Sequence, residues 1–234
     1  ERAVLPLWAR VLGWVEAGLV LLVSAYTEIF ISSYARDDVM VASQPMFMSL
    51  IDVGIALVGA SIIPLALDTA AGCMLFPFMV GLGLTLAASA LAVKSYRVVV
   101  LWSEADFRRA RDKDRQRTRS YVALVLLPLV LQSLLLGLWT GIAPLQWAER
   151  VVSVDVLGNP TLTVSSCVAS SGASMGWLAA NVALLGVWFG AAAVASIKVR
   201  VAPEQFHEAK STWMVAVGLV QVYAFAIPLV AAVY

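Results

Sequence analysis

Three acidic residues stand inside long apolar runs: Glu16, Glu28 and Asp52. A carboxylate at membrane depth is costly, so such a residue either carries protons or ions along a path or faces a bundle interior, hydrogen-bonded to its neighbours. Two cysteines, Cys73 and Cys167, can close a disulfide or stay as unpaired thiols in a greasy chain. The one histidine, His207, lies in the polar island KVRVAPEQFHEAKSTW (198–213) with no cluster of His, Cys and acids at metal spacing around it. It reads as a solvated bystander rather than a catalytic base. The chain has no phosphate-binding glycine loop and no nucleophile elbow. The expectation is a protein that is not an enzyme and uses no cofactor or metal. The net charge of +1 says nothing about nucleic acid, and no such partner is expected. The mixed-sign run FRRARDKDRQRTR (107–119) suits a solvated loop touching anionic lipid, and also a docking face for a cytoplasmic partner.

These residues must be positioned by membrane-spanning elements. The 234-residue chain is 61% hydrophobic and 13% charged, with a mean hydropathy of +0.87. A soluble domain carries roughly a quarter charged residues. Six runs approach or exceed the ~20 residues that cross a bilayer: about 7–34, 46–67, 73–96, 120–142, 174–197 and 211–233. Helices are expected, because lipid cannot satisfy an open backbone. GLGLTLAASA (81–90) and GAAAVAS (190–196) offer small residues for close helix packing. Pro64, Pro128 and Pro228 should kink their spans. Most of the tryptophans, among them Trp8, Trp102, Trp147 and Trp213, fall near span ends, as interfacial belts do.

Charge alternates between the connections. The segments after spans one, three and five hold thirteen of the sixteen basic residues, nine of them between Lys94 and Arg119. The positive-inside rule then puts the N-terminus outside. The chain opens on Glu1 and closes on Tyr234 inside an apolar run, so it reads as part of a longer protein, and a seventh span would return it to the cytoplasm. The same topology places Cys73, at the head of span three, and Cys167, between spans four and five, on the outer side where disulfides persist. A bond between them would pin that loop to span three. The loop, VVSVDVLGNPTLTVSSC (151–167), alternates β-branched residues around Leu157-Gly158-Asn159-Pro160 and is expected to form an extracellular β-hairpin.

The polar island, with Lys198, Arg200, Pro203-Glu204, Phe206 and Glu208-Ala209-Lys210, resembles the third intracellular loop of class C G-protein-coupled receptors, whose pattern is close to K-x-R-x-x-P-x-x-F-N-E-[AS]-K. His207 departs from it, standing where that family has Asn. Span three ends in Lys94-Ser95-Tyr96-Arg97, similar to the family's K-T-Y-R. Cys73 and Cys167 match its disulfide partners. Val41-Ala42-Ser43, Pro45, Phe47 and Gly54 are also similar, and Tyr223 with Phe225 and Ile227-Pro228 falls where relatives carry W-L-A-F-V-P, Tyr223 replacing the Trp. The resemblance runs from helix one to helix six.

That resemblance implies a fold class and a function. The fold is an all-α integral membrane helical bundle, the seven-transmembrane receptor fold with six helices present, as one transmembrane receptor domain over 1–234. The function is signalling to heterotrimeric G proteins, as a homo- or heterodimer in membrane lipid. It implies an ionic lock between Lys94 and Glu208, the latter favoured at the start of helix six by the helix dipole. Pro203 would end the helix-five extension, and Phe206 would dip toward the bilayer or the bundle. Residues facing the G protein would include Arg97, Arg108, Arg109, Arg111, Lys198, Arg200, Pro203, Phe206 and Lys210. Tyr223 would line a pocket among helices three, five and six. Two other readings stay open: a transporter or channel using Glu16, Glu28 and Asp52, and a receptor-like subunit that does not couple.

Overall fold

Pro45 sits at the first helical position after Gln44, whose φ of 62° turns the chain into the helix Pro45–Ala60. Such local signals punctuate a chain that is otherwise apolar and helical. The computed structural model of the protein describes residues 2–3, 7–35, 37, 44–66, 69–103, 107–154, 160–169 and 172–200. Its helices are α1 (Leu7–Tyr34), α2 (Pro45–Ala60), α3 (Ile62–Ala66), α4 (Ala70–Ser103), α5 (Phe107–Ile142) and α6 (Gly172–Arg200). Its strands are β1 (Arg2–Ala3), β2 (Leu145–Val154) and β3 (Pro160–Ala169). Among the described residues five segments are long and apolar enough to cross a membrane: Val11–Tyr34, Pro45–Pro64, Ala70–Val100, Ser120–Ile142 and Gly172–Lys198. The sixth expected span, 211–233, lies outside the described residues, as do Pro203, Phe206, His207, Glu208, Lys210, Tyr223 and Pro228.

The second span is broken where its proline requires it. The ring of Pro64 cannot coexist with an undisturbed carbonyl four residues earlier, and the helix stops at Ala60, turns at Ser61 and resumes at Ile62. Ser61 caps the break by donating its hydroxyl to the Val58 carbonyl at 2.6 Å. Pro77 and Pro128 are accommodated inside continuous helices.

The centre of the bundle is α4, which packs on α2, α3, α5, α6 and β2. Its membrane segment is 56% buried, against 17–28% for the other four. Small residues permit this. A Cβ on Gly54 of α2 would lie 2.7 Å from the Gly83 carbonyl oxygen of α4, and one on Gly83 would lie 2.6 Å from the Gly54 carbonyl oxygen. The two backbones therefore cross in direct contact. Beside that crossing Phe47 is buried with Leu86 and Val93 of α4 and Tyr121 and Val125 of α5. At the other end Leu136 and Trp139 of α5 and Ala143 just beyond it cluster with Phe78, Trp177 and Leu178.

The structure departs from expectation at two places. The run 107–119 is helical, not a loop: α5 begins at Phe107, α4 continues to Ser103, and only 104–106 separate them. Arg, Lys, Gln and Ala are good helix formers. Asp112 and Asp114 also stand three or four positions from Arg108, Arg111, Arg115 and Arg117, the spacing that supports a helix. The second difference is a third strand. β2 and β3 pair antiparallel with Trp147 opposite Cys167, and the register shifts between Val151 and Val154. β1 then adds to the free edge of β3 in parallel, Arg2 opposite Thr163, giving the order β1-β3-β2. An open strand edge offers unpaired N–H and C=O groups that a distant segment can satisfy. The turn expected at Leu157–Pro160 lies, up to Asn159, outside the described residues.

Candidate functional site

Helices α4, α5 and α6 converge at the end of the bundle away from the sheet, and their basic residues collect there. Ser95 of α4 and Ser196 of α6 are fully buried, with their hydroxyls 3.4 Å apart, so the feet of these helices are level. Lys94 is half-buried one residue before that contact. Arg97, one turn further along α4, lies with its guanidinium carbon 5.8 Å from the centre of the Tyr121 ring on α5, a cation–π geometry. Tyr96 and Val99 of α4 face Gly190, Val194 and Lys198 of α6 across an open groove of about 400 Å³. Its walls are mostly apolar, with Lys198 exposed at its mouth. Arg200 is the last residue of α6, and Arg108, Arg109 and Arg111 lie in the first turns of α5. The structure thus brings Lys94, Arg97 and Lys198 to one end of three adjoining helices. The intended partner of Lys94, Glu208, falls outside the described residues.

At the opposite end Cys73, in the first turn of α4, is bonded to Cys167 of β3, with a Cα–Cα distance of 5.6 Å. Trp139 donates its indole N–H to the Ser174 hydroxyl at 3.1 Å, tying α5 to the start of α6. The sheet is therefore fastened to the central helix, and the two helices flanking its strands are fastened to each other.

The intramembrane acids separate into a pair and an outlier. Ser49 of α2 donates its hydroxyl to Glu28 Oε1 of α1 at 2.6 Å, while Glu28 Oε2 is buried without a partner. Asp52 stands one turn beyond Ser49, beside the Ser24 and Thr27 hydroxyls of α1 and near Glu28. Glu16 is exposed on α1. It is twelve residues from Glu28, about 18 Å along a helix axis, so the three acids do not form one path. Sequence reading did not single out Ser24, Thr27 and Ser49, although hydroxyls at membrane depth commonly hydrogen-bond between helices. Replacing Ser49 by Ala should lower stability by about 1 kcal/mol, the scale of interhelical hydrogen bonds in membranes. Thermal unfolding in nanodiscs checks this; a melting temperature at or above wild type would show that the Ser49–Glu28 bond contributes nothing net.

Five spans of this length and composition, one of them the buried central helix α4, make the chain a multi-pass helical membrane protein. The family model described as "7 transmembrane sweet-taste receptor of 3 GCPR" matches residues 7–233. The chain belongs to that family, the class C (family 3) G-protein-coupled receptor transmembrane domains. No match was found among curated proteins.

Proposed function

We propose that this chain is the transmembrane transducer of a class C receptor, passing an extracellular signal to a heterotrimeric G protein by rearranging its helices, with no catalysis of its own. The observation that carries the reading is the family match across 7–233, joined to the gathering of Lys94, Arg97 and Lys198 at one end of α4, α5 and α6. On this reading the sheet and the disulfide face outward with the N-terminus, and the basic end faces the cytoplasm. The charge distribution supports that orientation. On the same reading 211–233 is a sixth membrane span, and Tyr223 belongs to the wall of a ligand pocket among spans three, five and six. The working unit is a homo- or heterodimer held in membrane lipid.

In the resting state Lys94 pairs with Glu208 at the cytoplasmic boundary, where a pair is partly desolvated and stronger than an exposed one. On this reading Pro203 turns the chain and Phe206 dips toward the bilayer or the bundle. Arg97, Arg108, Arg109, Arg111, Lys198, Arg200 and Lys210 face the G protein. A lock worth about 1 kcal/mol holds the active population down about fivefold. Glu208→Ala should therefore raise basal G-protein activation by about that factor. The experiment is a G-protein activation assay on the protein in cells, wild type beside Glu208→Ala, at matched surface levels. Unchanged basal activity with intact agonist response removes the lock. Silence from both, across the G-protein classes, favours a receptor-like subunit that does not couple. Charge reversal of Arg108, Arg109 and Arg111 together should lower agonist-driven coupling without changing surface expression; full coupling would remove that stretch from the docking face.

The adjacency of Glu28 and Asp52 supports one further reading, an ion or proton pathway through the first two spans. It requires flux that Glu28→Gln and Asp52→Asn abolish.

A further inference from the structure

Gln132 of α5 is fully buried, 0% exposed, at the level where α4, α5 and α6 meet. Its Nε2 donates to Asn181 Oδ1 of α6 at 2.9 Å. Asn181 Nδ2 donates in turn to the Trp177 carbonyl at 2.8 Å. These two bonds fix both amide orientations. A carbonyl only accepts, so the group facing Trp177 must be the Asn181 NH₂, and the group facing Asn181 Oδ1 must then be the Gln132 NH₂. The remaining Gln132 atom is the acceptor Oε1, and it is buried with no partner.

Thr85 of α4 is also 0% exposed, and its hydroxyl too has no partner. A helical threonine commonly bonds back to the carbonyl four residues earlier; this one does not, although Gly81 occupies that position. Gly81 also locates Gln132 relative to Thr85. A Cβ on Gly81 would come within 3.3 Å of Gln132 Nε2 and 3.0 Å of Leu136 Cδ1, so the Gln132 amide lies over the Gly81 turn. Residues four apart on a helix have Cβ atoms about 5–6 Å apart on the same face. Thr85 therefore stands one turn from the place where the Gln132 amide lies, and a water making two hydrogen bonds of about 2.8 Å joins oxygens up to about 5.6 Å apart. Trp188 Nε1, the unpartnered group on α6 among the described residues, is seven residues from Asn181, about 10 Å along the axis, out of reach of the same bridge.

We propose that α4, α5 and α6 enclose a binding site for a single water molecule, held between Gln132 Oε1 and Thr85 Oγ1. The water donates one hydrogen to the Gln132 carbonyl and exchanges a second bond with the Thr85 hydroxyl. Leaving both groups bare in an apolar bundle is disfavoured, and no bulk water competes at this depth. With the water in place the amide chain from Trp177 through Asn181 and Gln132 reaches α4, so one polar string links three helices.

The test uses thermal unfolding of the full-length protein in nanodiscs. Thr85→Val keeps the shape and deletes the hydroxyl. With the water bound there, it lowers the melting temperature by about 2–4 °C. If the hydroxyl is dry, valine replaces an unsatisfied group by a methyl and leaves the melting temperature unchanged or raises it, which overturns the site. A double-mutant cycle with Gln132→Leu gives the second readout. The water couples two side chains that share no direct hydrogen bond, so Thr85→Val shifts the melting temperature less in the Gln132→Leu background. Additive shifts overturn the bridge. In an experimental map with ordered waters, a density peak within about 3 Å of both oxygens is expected, and a clear map without one overturns the proposal.

Discussion

Replacing Cys73 or Cys167 by Ser should destabilise the domain by about 2–5 kcal/mol. The bond spans 94 residues of sequence, so it closes most of the distance between the head of the third span and the segment before the fifth. In a chain-entropy account a loop of about 100 residues contributes up to ~4.7 kcal/mol. In a membrane the unfolded state keeps its inserted helices, which already restrict that loop, so the lower part of the range is expected. The structural consequences are larger than the bond itself. β3 carries Cys167, β2 pairs along its length, and β1 rests on its other edge. Freeing Cys167 unfastens the sheet from α4. The check is thermal unfolding of wild type, both single variants and the double variant, with and without reductant. The double variant should match each single one, because all three lose the same bond, and reductant should bring wild type down to them. A melting temperature indifferent to all of these would show that the sheet is held by its other contacts.

Gly83→Val should be nearly as damaging, and for a steric reason. A Cβ at this position meets the Gly54 carbonyl oxygen at 2.6 Å, Val58 Cγ2 at 2.9 Å and Leu57 Cβ at 3.1 Å. The first of these is backbone and cannot rotate away. The helices must separate, and they do so at the centre of the bundle, where Ala87 and Ala88 are 2% and 0% exposed. Overpacking commonly costs about 1–3 kcal/mol, and a β-branched side chain against a backbone should reach the upper end. Gly54→Ala should also destabilise, because its Cβ meets the Gly83 carbonyl at 2.7 Å and the Ala87 nitrogen at 2.9 Å. Gly137→Ala is the control: nothing lies within 4 Å of a Cβ there, and alanine is the better helix former. The measurement is the melting temperature of each variant in the same lipid. Gly83→Val tolerated as well as Gly137→Ala would mean that the two helices do not cross as closely as described.

Much of this protein was legible along the chain. Apolar length and charge placement are local quantities, and lipid imposes one answer on such segments: a helix with its backbone bonds made internally. That is why five spans could be located from composition, and why short strings such as Lys94-Ser95-Tyr96-Arg97 pointed to the family. The helical run 107–119 was misjudged from its polarity. Hydropathy reports solvation, whereas helix formation there rests on propensity and on acid–base spacing.

Rotation and crossing were not legible, because a helix that is apolar on every side carries no hydropathy signal for which face turns inward. Only the tertiary structure set Gly54 against Gly83, joined Gln132 to Asn181, bonded Ser49 to Glu28 while leaving Glu16 exposed, and laid Arg2–Ala3 along β3. Each of these depends on how closely two backbones approach and which side chains then meet. That is decided by steric fit and hydrogen bonding between helices. The sequence by itself determined which segments enter the membrane; packing against α4 decided how they face one another there.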